Sequence, residues 1–350
     1  MTTLSWDLGT AYDFFVSLQV LHQPADFGLR PSWAAGVRSR IPAGPREFLE
    51  RTFSFFPAPL RWIHSLPLQP KDSNAALAVL AALPAGDRLA ALTLTSDTPS
   101  PIAETVLSIA QRGTWNDTDL EVLRSTYQKR GYPLHANTLP ALCQAWSDPT
   151  AFGETFLSAL QAYRECFFAE EELRIAPVLE SSLARAQALA EILPLTELLT
   201  ELSNGVQFSE LETLKTLYLA PSYWSTPLIF IRNFGEGQKF ILFAGRPANQ
   251  ALVPGENVPA DVINALKALA DPTRLRILRY LADQPLTPTD LSQRLRLRPP
   301  TVIHHLSALR LAGLVQITIQ AEGERRYALR VEAVETALRH TRSFLKLPPS

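Results

Sequence analysis

Residues 262–330 read VINALKALADPTRLRILRYLADQPLTPTDLSQRLRLRPPTVIHHLSALRLAGLVQITIQAEGERRYALR. Helix signals follow one another closely here. A first helix spans 262–270. Asp271-Pro272 then supplies an N-cap residue and a proline at the first helical position, where the missing N–H costs nothing. The helix over 272–282 is expected to bury Leu275, Leu278 and Leu281 or their neighbours. Thr287-Pro-Thr-Asp290 is a second start signal. Thr287 caps, Pro288 fits the first position, and Asp290 reaches back as the acidic partner of a capping box. Leu286 and Leu291 flank it as a hydrophobic staple.

The next helix is predicted over Pro299–Leu311. At about 100° per residue, Val302, Leu306 and Leu309 share the face that packs on the preceding helices. Pro300, His304, Ser307 and Leu311 fall opposite, with Thr301 and Ile303 on the flanks. Gly313 ends the helix as a left-handed cap. Val315, Ile317 and Ile319 alternate with Gln316, Thr318 and Gln320, the period of a half-buried strand. Ala321-Glu-Gly323-Glu324 makes a tip, and a second strand follows, opening on Arg325-Arg326. A helix followed by a two-stranded ribbon can occupy adjacent grooves of double-stranded DNA. The stretch therefore reads as a winged helix-turn-helix. Its candidate DNA-binding residues are His304 and Ser307 on the outward face with Thr301 at its flank, Arg298 and Arg310 near the helix ends, and Arg325 and Arg326 on the wing over 315–330.

This segment resembles the ArsR/SmtB family of winged-helix transcription regulators. The residues that carry the likeness are Leu266-Lys-Ala-Leu-Ala-Asp-Pro-Thr-Arg274-Leu-Arg-Ile-Leu278, Thr301-Val-Ile-His-His-Leu306, Leu309, Ala312-Gly-Leu-Val315 and the Gly-x-Arg-Arg-x-x-Leu wing. The resemblance implies a homodimer on a pseudo-palindromic operator, usually a repressor released by a signal, with His304 facing DNA. Pro299 and Ile303 stand where relatives often carry Gln and Ser, so the family's base contacts do not transfer directly. The family's cysteine-containing metal motif is absent from Leu286-Thr-Pro-Thr-Asp-Leu291, and only His340 follows the wing. Neither family metal site is expected. The long N-terminal region resembles, less distinctly, the helical region of extended ArsR-like regulators, through Tyr12-Asp-Phe-Phe-Val-Ser-Leu-Gln-Val-Leu-His22 and Trp33-Ala-Ala-Gly36. It implies a regulatory or dimer-supporting part without naming a ligand.

Charge agrees with a polyanion partner for the C-terminal segment alone. Residues 262–350 carry 14 Lys+Arg against 7 Asp+Glu, whereas residues 1–261 carry 19 against 27. The whole is mainly α with small β elements: a helical regulatory or dimerisation domain over 1–245 with a short antiparallel sheet near 213–245, a linker over 246–258, and the DNA-binding domain over 259–350 with a C-terminal dimerisation helix. That last helix, 331–345, carries Val334, Leu338 and Leu345 at helical spacing and is expected to pair with the module's first helix and its copy. In the N-terminal part, helices are expected over 11–22, over 73–83 with Ser73-Asn74 as cap, and from Asp117 or Thr118 to Gly131-Tyr-Pro133. The longest is expected over 149–193, kinked or broken at Pro177. Gly235-Glu-Gly237 turns a hairpin.

Cys143 and Cys166 form no disulfide framework. A reducing cytoplasm fits them, and Cys166 reads as a small buried hydrophobe. No apolar run is long enough to span a bilayer. His22, His64 and His135 are isolated, and adjacent His304 and His305 point about 100° apart on a helix, too far to chelate one metal. No cofactor motif, Walker loop or nucleophile elbow is present, so no cofactor, no metal and no enzyme activity are expected. Six tryptophans leave room for a small-molecule effector in the N-terminal domain, beside ordinary core packing. Two other classes stay open: a winged helix that binds protein, and an N-terminal enzyme tethered to DNA.

Overall fold

The computed structural model describes residues 2–67, 70–129, 138–208, 211, 214–247, 250, 252–253, 259–320 and 324–345. The wing tip at 321–323, the helix stop at 131–133, His135 and much of the 246–258 linker lie outside these residues. Over the described residues the chain is mainly helical with two small sheets.

Helix Thr10–His22 organises the N-terminal part. Eleven of its thirteen residues are buried, which marks a central helix rather than a surface one. Phe14 packs edge-on against Phe168, with Tyr163 also beside it. Helix Pro149–Tyr163 crosses helix Ala85–Thr93 so closely that a Cβ on Gly153 would lie 2.0 Å from the Ala85 carbonyl oxygen; only glycine fits there.

Helix starts fall one residue upstream of their expected places. Asp72, not Ser73, caps Ser73–Ala82 by accepting from the Ala75 N–H, and Asn116 accepts from the N–H groups of Thr118 and Asp119. The long helical stretch is not broken at Pro177. Helix Ala169–Ile192 runs through that residue, and the irregularity lies at Arg164–Phe168, a single π-turn. Cys143 is buried, but Cys166 in that turn is only half-buried.

The first sheet corrects the expected antiparallel reading. Its order is β1 (Thr3–Trp6), β3 (Thr216–Ser222), β5 (Gln238–Ala244), β4 (Phe230–Gly235), with β2 (Val206–Phe208) elsewhere. β1, β3 and β5 are mutually parallel, and only the β4–β5 hairpin is antiparallel. The reason is legible afterwards: β3 and β5 are covered on both faces and read as continuous apolar runs, the mark of parallel strands. Asp13 lies at the carboxyl end of β3. It accepts from the Ser222 hydroxyl at 2.7 Å, the Trp224 N–H at 2.8 Å and the Tyr223 N–H at 3.0 Å. Its complete burial outweighs those donors and pushes the carboxyl up to about 6.

The C-terminal part has its own apolar cluster, built from residues between Ala268 and Ala337. Its wing is β6 (Val315–Ile319) against β7 (Arg325–Leu329), and Leu286 exchanges backbone hydrogen bonds with Tyr327 at 2.9 Å. A third strand joins from far away. β2 pairs in parallel with β6, Val206 opposite Ile317 and Phe208 opposite Ile319. Ile319 also packs on a third apolar cluster that includes Ala186, Leu198, Leu202 and Val206. Within the 246–258 segment, Leu252 and Val253 are buried against the N-terminal core. No helix among the described residues is long and apolar enough to cross a membrane.

Candidate nucleic-acid interface

The recognition helix is held by signals that act locally. Asp271 accepts from the Arg274 N–H at 2.9 Å and caps helix Pro272–Asp283. Thr287 and Asp290 form the complete capping box of helix Pro288–Leu295, with Leu286 and Leu291 both buried beside it. The Thr287 N–H and hydroxyl hold the Asp290 carboxyl below the usual carboxylate range. Arg296 then takes a left-handed conformation, φ 56°, and turns the chain into helix Pro299–Leu311. Gly313, φ 70°, ends it.

Val302, Leu306 and Leu309 are buried, which fixes the helix in rotation. Thr301, His304 and Ser307 are consequently exposed in one row, as is Arg298 at the N-cap. The Ser307 hydroxyl donates to the Ile303 carbonyl at 2.9 Å and keeps its acceptor capacity free for an outside partner. Ile303 is exposed as well, an apolar side chain next to that row and of the right chemistry for a thymine methyl. His305 is half-buried, 3.9 Å from Asp271, and burial holds its pKa below the ordinary histidine value. Helix Pro272–Asp283 buries Ile277, Leu278 and Leu281, whereas Leu275 is exposed.

The arginines divide. Arg325 and Arg326 are both exposed on β7, but neighbours on a strand point to opposite faces. Arg325 faces the side of Arg310 and Tyr327; Arg326 faces Asp290 and lies 3.2 Å from Glu324. Arg310 itself is half-buried, and its desolvation lowers its pKa from the ordinary arginine value. It is thus less open to an outside partner than the other candidates. Sequence reasoning passed over Arg294 and Arg296. In Arg294-Leu-Arg-Leu-Arg298 the leucines turn inward and all three arginines are exposed, and that alternation was the available signal.

Among the described residues no group of three or more His, Cys, Asp or Glu side chains is arranged to hold a metal.

Residues 271–316 match the family described as "Bacterial regulatory protein, arsR family". The HTH-type transcriptional regulator NmtR of Mycobacterium tuberculosis is 45% identical over 56 residues, 16% of this chain and 47% of that protein. The transcriptional repressor SdpR of Bacillus subtilis is 35% identical over 52 residues, 15% of this chain and 58% of that protein. Reduced HlyU from Vibrio cholerae is 34% identical, covering 24% of this chain and 88% of that chain, with a TM-score of 0.20. The chain spans about half the length of the curated relatives it matches. The family match covers the capped helices and the recognition helix just described, and residues 271–316 of this chain are an ArsR-family helix-turn-helix segment.

Proposed function

We propose that the chain is a DNA-binding transcription regulator of ArsR type, acting as a repressor on a pseudo-palindromic operator. One observation carries the reading: an exposed row of Thr301, His304 and Ser307 on a helix pinned by buried Val302, Leu306 and Leu309, with exposed arginines before it and on the wing. The name of the relative SdpR, a transcriptional repressor, favours repression. In this reading residues 1–245 are the regulatory and dimer-supporting domain, 246–258 the linker, and 259–350 the DNA-binding domain. DNA as partner carries with it a cytoplasmic location and a binding rather than enzymatic role.

A homodimer is supported by helix Val331–Phe344, which has no buried residue although Val334 and Ala337 pack on the module core. Val331, Leu338 and Leu345, seven residues apart, are each at least half exposed and form an apolar stripe suited to a second copy. Two copies related by a two-fold axis would set recognition helices about 34 Å apart, one turn of DNA.

The test is fluorescence anisotropy on duplex DNA from upstream of the chain's own gene, at rising salt. A dimer neutralising about eight phosphates gives a log–log slope near −7. Tight binding with that slope and a dimer by ultracentrifugation support the reading; a flat titration overturns it.

A further inference from the structure

After β1 the chain turns through Asp7-Leu8-Gly9 into helix Thr10–His22, and this turn lies against Pro70-Lys71-Asp72. Gly9 permits the approach, because a Cβ there would lie 2.5 Å from the Lys71 carbonyl oxygen. With one side of helix Ala169–Ile192, the two segments surround a cavity of about 780 Å³. The cavity opens beyond the carboxyl end of β1, the end of a parallel strand where open α/β sheets receive ligands. Its volume is that of a site for a drug-sized molecule.

The lining sets the chemistry. Trp6, Leu8, Leu179 and Leu183 supply apolar walls. The cation of the lining, Lys71, is already committed: its side chain is fully buried, with Nζ 2.5 Å from Asp7 Oδ2 and 3.1 Å from the His64 carbonyl oxygen. The Tyr12 hydroxyl donates to the same Asp7 oxygen at 2.6 Å, so that carboxylate is satisfied too. The pair contributes no net charge. What is left is negative: Asp72, half-buried at the N-cap of Ser73–Ala82, and Glu180, exposed at the mouth on the facing helix. Neither forms an ion pair with another described residue. Asp72 spends one carboxylate oxygen on the Ala75 N–H, but neither carboxylate has a cation, so an anion meets two negative charges here and a neutral apolar molecule leaves both without a counter-charge.

We propose that this cavity binds a cationic amphiphile, a small molecule with an aromatic or aliphatic body and one ammonium group. The body lies against Trp6, Leu179 and Leu183, and the ammonium faces Asp72 and Glu180. The site stands apart from the nucleic-acid interface, and its test uses no DNA, so the two readings fail separately.

The experiment is calorimetric titration of the full chain with 4-phenylbutylamine, compared with 4-phenylbutanol and 4-phenylbutyrate. Saturable binding of the amine is expected, with the alcohol weaker by about fivefold and the carboxylate weaker still. Glu180→Gln, and Asp72→Asn, which keeps a capping side chain, should each weaken the amine about threefold and leave the alcohol unchanged. Leu183→Trp, at a half-exposed position, should fill the cavity and abolish both, with unfolding temperature checked alongside. Equal affinity for amine and alcohol, no saturation at millimolar amine, or undiminished binding by folded Leu183→Trp protein would overturn the proposal.

Discussion

The Arg330 guanidinium donates to the Asn204 carbonyl at 2.9 Å and to the Gly313 carbonyl at 3.2 Å, tying the end of the wing both to the cap of the recognition helix and to a residue 126 positions earlier. The Ile317 N–H donates to the Gly205 carbonyl at 3.0 Å in the same joint. Arg330→Ala leaves two carbonyls without this donor and should cost about 1–3 kcal/mol in urea unfolding. Exchange of the Ile317 amide should quicken with it. An unchanged Ile317 exchange rate would mean that the β2–β6 pairing holds without Arg330.

The opposed directions of Arg325 and Arg326 predict unequal roles on DNA. Arg325→Ala should lower the salt slope by about one unit per subunit and weaken all sequences alike. Arg326→Ala should do less, because Glu324 already sits 3.2 Å from that charge. Glu324→Gln should tighten binding at low salt. Anisotropy titrations of the three variants decide it; equal losses at the two arginines would count against the division.

His304→Ala should relax specificity at one base position per half-site, costing about 1–3 kcal/mol there and little elsewhere. Selection of bound sequences from a randomised operator reads this directly. A uniform loss across all sequences would reassign His304 to the phosphate backbone.

Asp13 predicts a pH dependence of stability. Its carboxyl is raised to about 6 in the folded chain, from about 3.9 when unfolded, so folding favours the protonated form. The stability it contributes is complete below about pH 4 and is lost as pH rises through about 6, roughly 3 kcal/mol over that window. Asp13→Asn should remove this component, so the difference in unfolding free energy between the two proteins should change between pH 4 and pH 6. Parallel pH curves would show that Asp13 ionises as readily folded as unfolded.

What could be read beforehand was local. The Thr287–Asp290 capping box, the proline at each helix start and Gly313 act within a few residues, and the recognition helix begins and ends where its sequence implies. The outward places of His304 and Ser307 followed from helical period alone; Thr301, expected at the flank, is exposed beside them. What escaped was non-local. β1 and β2 are four and three residues long, too short to show a period, and their partners lie more than a hundred residues away. Strand direction in the first sheet depends on cover from both faces, which a single strand's pattern hints at only through its lack of alternation. The half-burial of Arg310, with Tyr327 and Arg325 near enough to act on its charge, likewise depends on residues distant in sequence.

The β2–β6 pairing also bears on how the two parts of the chain can be separated. A winged helix ends its sheet in a strand whose outer N–H and C=O groups are unpaired, a template for any extended peptide. Val206–Phe208 occupies that position here, supplied by the same molecule. Cutting between 246 and 258 would therefore uncover the rim of β6 and exchange a self-contained sheet for one that invites a foreign strand. Residues 259–350 alone should aggregate or pair through β6, and a peptide covering 203–208, added in excess, should suppress that association.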